Sequence, residues 1–130
     1  MFRLMIADDE DAERMGIRFL LEKFGFEFEI REAADGANAL EKLKEFQADI
    51  LVTDVKMPFL SGIDLAKQVR RQFPNMEIIF FSGYDDFEYV KQALSLQAVD
   101  YILKPVNPTE FQKVIAGVVD RLNQEEEAAT

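Results

Sequence analysis

The stretch Ile50-Leu51-Val52-Thr53-Asp54 decides the fold, because it is an unbroken apolar run that ends at an acid. Strands buried on both faces have this pattern, and they occur where helices cover both sides of a parallel sheet. A helical pattern does not resume after Asp54 until about Gly62, so a loop separates the two elements. The stretch therefore predicts a buried parallel strand with a carboxylate at its carboxyl end.

Further segments of strand length lie on either side of residues 50–54 and alternate with stretches of helical period. Residues 26–30 alternate apolar and acidic side chains, as a strand with one solvated face does, so this strand suits the edge of a sheet. The remaining predicted strands are Leu4–Ala7, Ile78–Phe81 and Tyr101–Leu103. The chain is thus predicted to contain five strands.

Apolar residues spaced three and four apart predict a helix after each strand. The first helix carries a polar stripe and ends at Gly25, and the third ends before Pro74. Asn107 and Pro108 are a cap and first-turn pair for the last helix. The residues that define these helices are Arg14, Arg18 and Glu22 in the stripe, Leu40, Leu43 and Phe46 in the second, Leu65, Ala66, Val69 and Phe73 in the third, Phe87, Val90 and Leu94 in the fourth, and Phe111, Val114, Ile115, Val118 and Leu122 in the last.

Strict alternation of strands and helices with short connections predicts an α/β fold with a parallel sheet covered on both faces. Five strands favour an open, doubly wound (βα)5 sheet in the order 2-1-3-4-5 over a closed barrel. Its crevice lies beyond the carboxyl ends of strands one and three, where the winding reverses. We expect residues 1–122 to form this domain, and residues 123–130 to be an acidic tail or the start of a linker.

Composition excludes several classes of function. The 130 residues include no Cys and no His, which excludes disulfides, thiolate nucleophiles, imidazole zinc sites and Ser-His-Asp triads. The net charge of −10 disfavours binding of these residues to nucleic acid or to an anionic membrane surface. No apolar run is long enough for a signal peptide or a membrane span, so a cytoplasmic location is expected.

Acidic residues follow two of the strands that meet at the crevice. Asp8 and Asp9 end the first strand, and Asp54 ends the third. Taken singly, Asp8 or Asp9 is most simply a helix cap. Together at one crevice, carboxylates repel one another by a few kcal/mol per pair and therefore call for a cation. Oxygen ligands without His or Cys suit Mg²⁺.

Complementary groups follow the other two strands at the same edge. Ser82-Gly83 offers a hydroxyl beside a flexible backbone N–H, and Lys104-Pro105 offers a fixed positive charge. Each pair alone is most simply a turn or a surface residue. Combined with a metal site and a carboxylate nucleophile, they suit phosphoryl transfer to a carboxylate, in which catalysis is mostly positioning and charge neutralisation.

The joint pattern resembles the receiver domain of two-component response regulators, a flavodoxin-like fold, and the resemblance extends to about Leu122. It implies that Asp54 accepts a phosphoryl group from the phosphohistidine of a histidine kinase in a Mg²⁺-dependent reaction. The residues that carry the resemblance are Asp8, Asp9, Asp54, Met57, Pro58, Gly62, Ser82, Gly83, Tyr101, Lys104 and Pro105.

The resemblance also implies roles for the neighbouring residues. Mg²⁺ would be bound by Asp9, Asp54 and the backbone carbonyl of Lys56, with Asp8 acting largely through a water. Lys104, before a cis bond to Pro105, would pair with a phosphoryl oxygen. The remaining implied roles are a phosphoryl hydrogen bond from Ser82, an inward switch by Tyr101, and control of the dephosphorylation rate by Lys56 and Tyr84.

Residues 81–89 are similar to receivers attached to AraC-type helix-turn-helix output domains. Such a DNA-binding module would follow residue 130 in a longer transcription regulator, controlled through the face of helix four, strand five and helix five. The family also implies a homodimer through that face on phosphorylation. Gln97 departs from the family, which has Gly there to close the fourth helix.

Three alternative functions compete with this interpretation. A phosphatase of the haloacid-dehalogenase type needs a second Asp two residues after the nucleophile, where this chain has Lys56. A flavodoxin-like electron carrier needs a hydroxyl- and Gly-rich phosphate loop after strand one, whereas residues 8–11 are all acidic; a flavin absorbance would restore that alternative. A receiver-like interaction module regulated without phosphorylation stays open on sequence alone.

Overall fold

A computed structural model of the chain describes residues 1–83, 91 and 99–129. Within these ranges, parallel strands form one sheet in the order β2-β1-β3-β4-β5. This confirms the predicted doubly wound sheet and its strand order. The strands are β1 at Phe2–Ala7, β2 at Phe28–Ala33, β3 at Ile50–Thr53, β4 at Glu77–Gly83 and β5 at Val99–Lys104.

Helices cover both faces of the sheet in the part of the chain that the structure describes. They are α1 at Asp11–Lys23, α2 at Gly36–Leu43, α3 at Gly62–Gln72, and a C-terminal helix at Pro108–Ala129. The predicted fourth helix, with Phe87, Val90 and Leu94, lies outside the described residues, as do Tyr84 and Gln97.

Alternate residues of the strands point into two separate apolar cores, because successive side chains of a strand face opposite sides. Met5, Leu51 and Phe80 pack with residues of α2 and α3 on one side of the sheet. Leu4, Val52 and Ile102 pack with residues of α1 and the C-terminal helix on the other. The four residues of β3 are all buried, as the apolar run predicted.

Strand β2 begins two residues later than its alternation predicted. Gly25 has a φ of 76°, a left-handed conformation that Gly adopts without strain. The Gly25 N–H then donates to the carbonyl of Glu22 at 3.0 Å, and the Phe26 N–H donates to that of Leu21 at 2.9 Å. This pair of bonds is the Schellman motif that closes a helix. Phe26 is therefore part of the helix end, and β2 begins at Phe28.

The C-terminal helix begins as predicted and extends beyond the predicted core residues. The side chain of Asn107 accepts hydrogen bonds from the N–H groups of Thr109 at 2.9 Å and Glu110 at 3.2 Å, so Asn107 is its N-cap. The helix continues to Ala129 through the acidic residues that follow Leu122. It crosses residue 122 without a break, and the domain boundary placed there remains a prediction.

Candidate functional site

The register of the sheet brings the acidic residues of two strands together. Ala7 of β1 pairs with Thr53 of β3, so the residues that follow, Asp8 and Asp54, lie side by side. The Asp54 N–H donates to the Ala7 carbonyl at 3.0 Å. Carboxylate oxygens of Asp8, Asp9 and Asp54 all lie within 4.8 Å of one another. The predicted acids thus form one cluster at the carboxyl edge of the sheet.

Asp8 is the buried member of this acidic cluster. Burial raises the pKa of the Asp8 carboxyl, and the negative charge of Asp54 adds to that rise. A hydrogen bond of 2.9 Å from the Glu10 N–H to Oδ1 of Asp8, and the charge of Lys104, act in the opposite direction without cancelling it. The ionised form of Asp8 is therefore disfavoured, and a bound cation would relieve this cost.

Neither Asp8 nor Asp9 is the cap of the helix that follows them. The N-cap position of α1 is occupied by Glu10, which makes no side-chain cap bond. Asp8 instead accepts a hydrogen bond from the backbone two residues ahead, which closes the turn between β1 and α1. The interpretation of Asp8 or Asp9 as a helix cap is therefore wrong, and both acids face the crevice.

The carboxylate of Asp54 is held by different partners at its two oxygens. Oδ1 accepts hydrogen bonds from the Val55 N–H at 2.7 Å and from Oγ of Ser82 at 2.9 Å. Oδ2 lies 3.5 Å from Nζ of Lys104. The Asp54 side chain is 15% exposed, so this oriented carboxylate can still be reached from solvent.

Lys104 places its ammonium among three carboxylates. Nζ lies 3.4 Å from Asp8, 3.5 Å from Asp54 and 3.5 Å from Glu13 of α1. Burial lowers the pKa of Lys104, but attraction to these three carboxylates outweighs it, and the net pKa is raised. Lys104 therefore keeps its charge at neutral pH. Its peptide bond to Pro105 is cis, as the resemblance implied.

Ser82 connects the acidic cluster to Tyr101. Ser82 is buried, and its hydroxyl donates to Asp54. The Tyr101 hydroxyl donates to the backbone carbonyls of Ser82 at 3.2 Å and Gly83 at 3.0 Å. A displacement of Ser82 would therefore disturb a bond that fixes the Tyr101 ring.

The loop after Asp54 packs so closely that Gly62 is required. A Cβ added at Gly62 would lie 1.7 Å from the backbone oxygen of Asp54. The Gly62 N–H also donates to the Val55 carbonyl at 2.7 Å. Lys56 is exposed in this loop, beside a cleft of about 600 Å³. The conformation of this loop, and with it the position of Asp54, therefore depends on the absence of a side chain at Gly62.

Two residues of α1 belong to this site although the sequence did not indicate them. Glu13 contacts Lys104, and Arg14 donates a hydrogen bond to the backbone carbonyl of Asp8. Arg14 appeared in the sequence only as part of a polar stripe, which is typical of a solvated helix face. Tyr84, expected to influence the same site, lies outside the described residues.

The arrangement supplies a carboxylate with an oriented oxygen, a lysine cation, a hydroxyl donor and further acidic oxygen ligands. These are the groups that transfer of a phosphoryl group to a carboxylate requires. Among the described residues, no helix combines the length and apolar character needed to cross a membrane.

Sequence comparisons identify relatives of the whole chain. Residues 4–116 match the family model described as "Response regulator receiver domain". An uncharacterized response regulatory protein of Staphylococcus epidermidis is 34% identical over 123 residues, covering 94% of this chain and 48% of that protein. The transcriptional regulatory protein HptR of Staphylococcus aureus is 32% identical over 127 residues, covering 97% of this chain and 50% of HptR. The chain spans about half the length of these relatives.

Structural comparisons agree with the sequence comparisons. The REC domain of AraT, a response regulator from Geobacillus stearothermophilus, superposes with a TM-score of 0.87 at 39% identity, covering 96% of this chain and 98% of that one. A two-component transcriptional regulator AraC from Clostridium phytofermentans superposes with a TM-score of 0.86 at 32% identity, covering 97% and 98%. Both resemble this chain over nearly its whole length.

Proposed function

Because the chain belongs to the response regulator receiver domain family, we propose that it accepts a phosphoryl group from the phosphohistidine of a histidine kinase onto Asp54. The observation that carries this proposal is the setting of the Asp54 carboxylate. One oxygen is held by the Val55 N–H and the Ser82 hydroxyl, and the other faces the Lys104 ammonium. Receiver domains are signalling domains. We propose that this one catalyses its own phosphorylation and dephosphorylation and no other reaction.

The transfer exchanges one bond to phosphorus for another. A carboxylate oxygen of Asp54 forms the new P–O bond, and the P–N bond to the kinase imidazole breaks. The electron pair of that bond stays with the imidazole nitrogen. Lys104 offsets negative charge on the phosphoryl oxygens, a role that its raised pKa supports because the ammonium stays protonated.

The acidic cluster fits Mg²⁺. Only oxygen ligands are present, their carboxylates lie within 4.8 Å of one another, and burial makes the ionised Asp8 unfavourable without a counter-charge. Asp9, Asp54 and the backbone carbonyl of Lys56 would hold the ion, with Asp8 acting largely through a water. A bound Mg²⁺ supplies charge neutralisation at the phosphoryl oxygens.

Ser82 and Tyr101 are proposed to convert phosphorylation into a change of surface. Ser82 would redirect its hydroxyl from Asp54 to a phosphoryl oxygen, and the carbonyls that now bind Tyr101 would shift with it. Tyr101 would then repack the face formed by the predicted fourth helix, β5 and the C-terminal helix. Lys56 and Tyr84 would set the lifetime of the phosphoryl group.

The relatives support a proposal for the partners. HptR and the AraC protein of Clostridium phytofermentans are transcriptional regulators, and the chain spans about half the length of its curated relatives. We therefore propose a cytoplasmic regulator in which a DNA-binding output domain of the AraC type follows a receiver of residues 1–122, joined through the acidic segment 123–130. Phosphorylation would favour a homodimer through the switch face, and the receiver itself would bind neither DNA nor a membrane.

The test is Mg²⁺-dependent uptake from a small-molecule phosphodonor such as acetyl phosphate. We expect intact-protein mass spectrometry to show one added phosphoryl group with Mg²⁺, and none with a chelator in excess, because the ion neutralises charge that otherwise opposes transfer. Unmodified protein under both conditions would contradict the proposal and favour an interaction module regulated without phosphorylation.

A further inference from the structure

Arg14 connects the acidic turn to the neighbouring edge strand. Its guanidinium donates to the backbone carbonyl of Asp8 and to the carboxylate of Asp11. Its Nε donates to Oε1 of Glu32, on β2, at 3.0 Å. The Arg14 side chain is 12% exposed, so this planar group is enclosed, and it links three separate points of the chain.

The carbonyl that Arg14 binds belongs to Asp8, the first residue of the turn between β1 and α1. The Asp8 N–H is fixed by the Ala33 carbonyl at 3.1 Å, and Oδ1 of Asp8 is fixed by the Glu10 N–H at 2.9 Å. Arg14 adds the third restraint, on the backbone between Asp8 and Asp9. Because the acids of this turn and Asp54 repel one another, a turn without that restraint would tend to open.

We propose that Arg14 is a positioning residue that holds the turn carrying Asp8 and Asp9 so that both carboxylates face Asp54. The proposal rests on the metal-binding part of the proposed function. Groups that orient the ligands of a metal without contacting the metal typically change its affinity ten- to a hundredfold when removed. Arg14 is such a group, because it binds the backbone of the turn that carries Asp8 and Asp9 and is not itself a ligand.

Charge and positioning predict opposite effects for the same substitution. A guanidinium beside a cluster of carboxylates repels an incoming cation, so on charge alone its removal would strengthen Mg²⁺ binding. Loss of positioning would weaken it. The direction of the change in Kd for Arg14→Gln therefore distinguishes the two.

Arg18 provides a matched control one turn further along α1. Its Nε donates to the other carboxylate oxygen of Glu32 at 2.7 Å. Among the described residues, Glu32 is its hydrogen-bond partner, and the Asp8 carbonyl is not. Arg18→Gln removes the same charge from the same helix face and the same partner, but leaves the bond to the Asp8 carbonyl intact. Its side chain is 43% exposed.

The experiment measures Mg²⁺ affinity by isothermal titration calorimetry without a phosphodonor. We expect about a tenfold rise in Kd for Arg14→Gln, and a change within about twofold for Arg18→Gln, whose ion pair is partly solvated and does not touch the acidic turn. An unchanged or lower Kd for Arg14→Gln would overturn the proposal, as would an equal loss in Arg18→Gln.

A second measurement needs neither the metal nor the phosphodonor. Hydrogen exchange at the Glu10 amide, which donates to Asp8, should be about tenfold faster in Arg14→Gln and unchanged in Arg18→Gln, because local opening exposes the amide. Equal exchange in wild type and Arg14→Gln would overturn the proposal even if the chain bound no Mg²⁺. If Arg14→Gln showed the faster exchange but the wild type took up no phosphoryl group, the proposed function alone would be refuted.

Discussion

Asp54→Asn is expected to take up no phosphoryl group from a donor that modifies the wild type. The amide has the shape of the carboxylate but lacks the charged oxygen that attacks phosphorus, so the initial rate should fall about a hundredfold or more. The amide oxygen can still accept from the Val55 N–H and Ser82, so the fold should persist. Uptake is measured by intact-protein mass spectrometry and the fold by thermal unfolding.

Asp64→Asn is the matched control for that substitution. Asp64 is an exposed carboxylate in the first turn of α3 and lines the same cleft as Asp9 and Lys56. The substitution removes one negative charge near the site but leaves the acidic cluster intact. The rate of phosphoryl uptake should therefore stay within about twofold of wild type, as expected for an exposed charge. If Asp54→Asn were modified as fast as Asp64→Asn, Asp54 would not be the acceptor.

Gly62→Ala is expected to destabilise the domain strongly. The new Cβ would lie 1.7 Å from the Asp54 carbonyl oxygen, and this neighbour is backbone that cannot rotate away. Relief of the clash requires movement of the loop or of α3, which costs about 3 kcal/mol of unfolding free energy. Urea unfolding measures the loss. Because the clash acts on Asp54, the proposed acceptor, phosphoryl uptake should fall as well.

Gly117→Ala is the control, since it makes the same chemical change elsewhere. Gly117 lies inside the C-terminal helix, and an added Cβ there meets nothing within 4 Å. Ala is a better helix former than Gly, so the unfolding free energy should rise by about 0.5–1 kcal/mol. Equal stability of Gly62→Ala and wild type would show that the loop is looser than the structure has it.

The groups at the strand ends could be predicted from the sequence because topology alone brings them together. Parallel strands end at a common edge, and the winding reverses between β1 and β3, so any residue that follows those strands faces the crevice. Asp8 and Asp54 directly follow β1 and β3, whereas Ser82 and Lys104 lie within the last two residues of β4 and β5. The structure places each of them in contact with a neighbour in the site. No knowledge of side-chain packing was needed.

The residues that were missed depend on contacts between distant segments. The position of Arg14 depends on Glu32, on β2, and on the carbonyl of Asp8, none of which a helical spacing reveals. Gly62 was part of the receiver pattern, but the sequence did not show why glycine is needed there, because the reason is the close approach of the Asp54 backbone oxygen.

The ends of elements were less predictable because local and longer-range preferences compete there. Phe26 continues an alternating pattern, yet its N–H closes the end of α1. After Leu122 the apolar pattern stops, but Gln, Glu and Ala favour helix without any burial, and the helix continues to Ala129. An apolar pattern marks where a helix packs, whereas helix propensity decides where it ends.

The most direct test of the central claim is to locate the phosphoryl group on the phosphorylated wild-type chain. Reduction with borohydride converts an acyl phosphate into an alcohol and so marks the acceptor carboxylate for peptide mass spectrometry. We predict a single mark, at Asp54. A mark at Asp8 or Asp9, or an ester at Ser82 that withstands the reduction, would contradict the assignment of Asp54 as the acceptor.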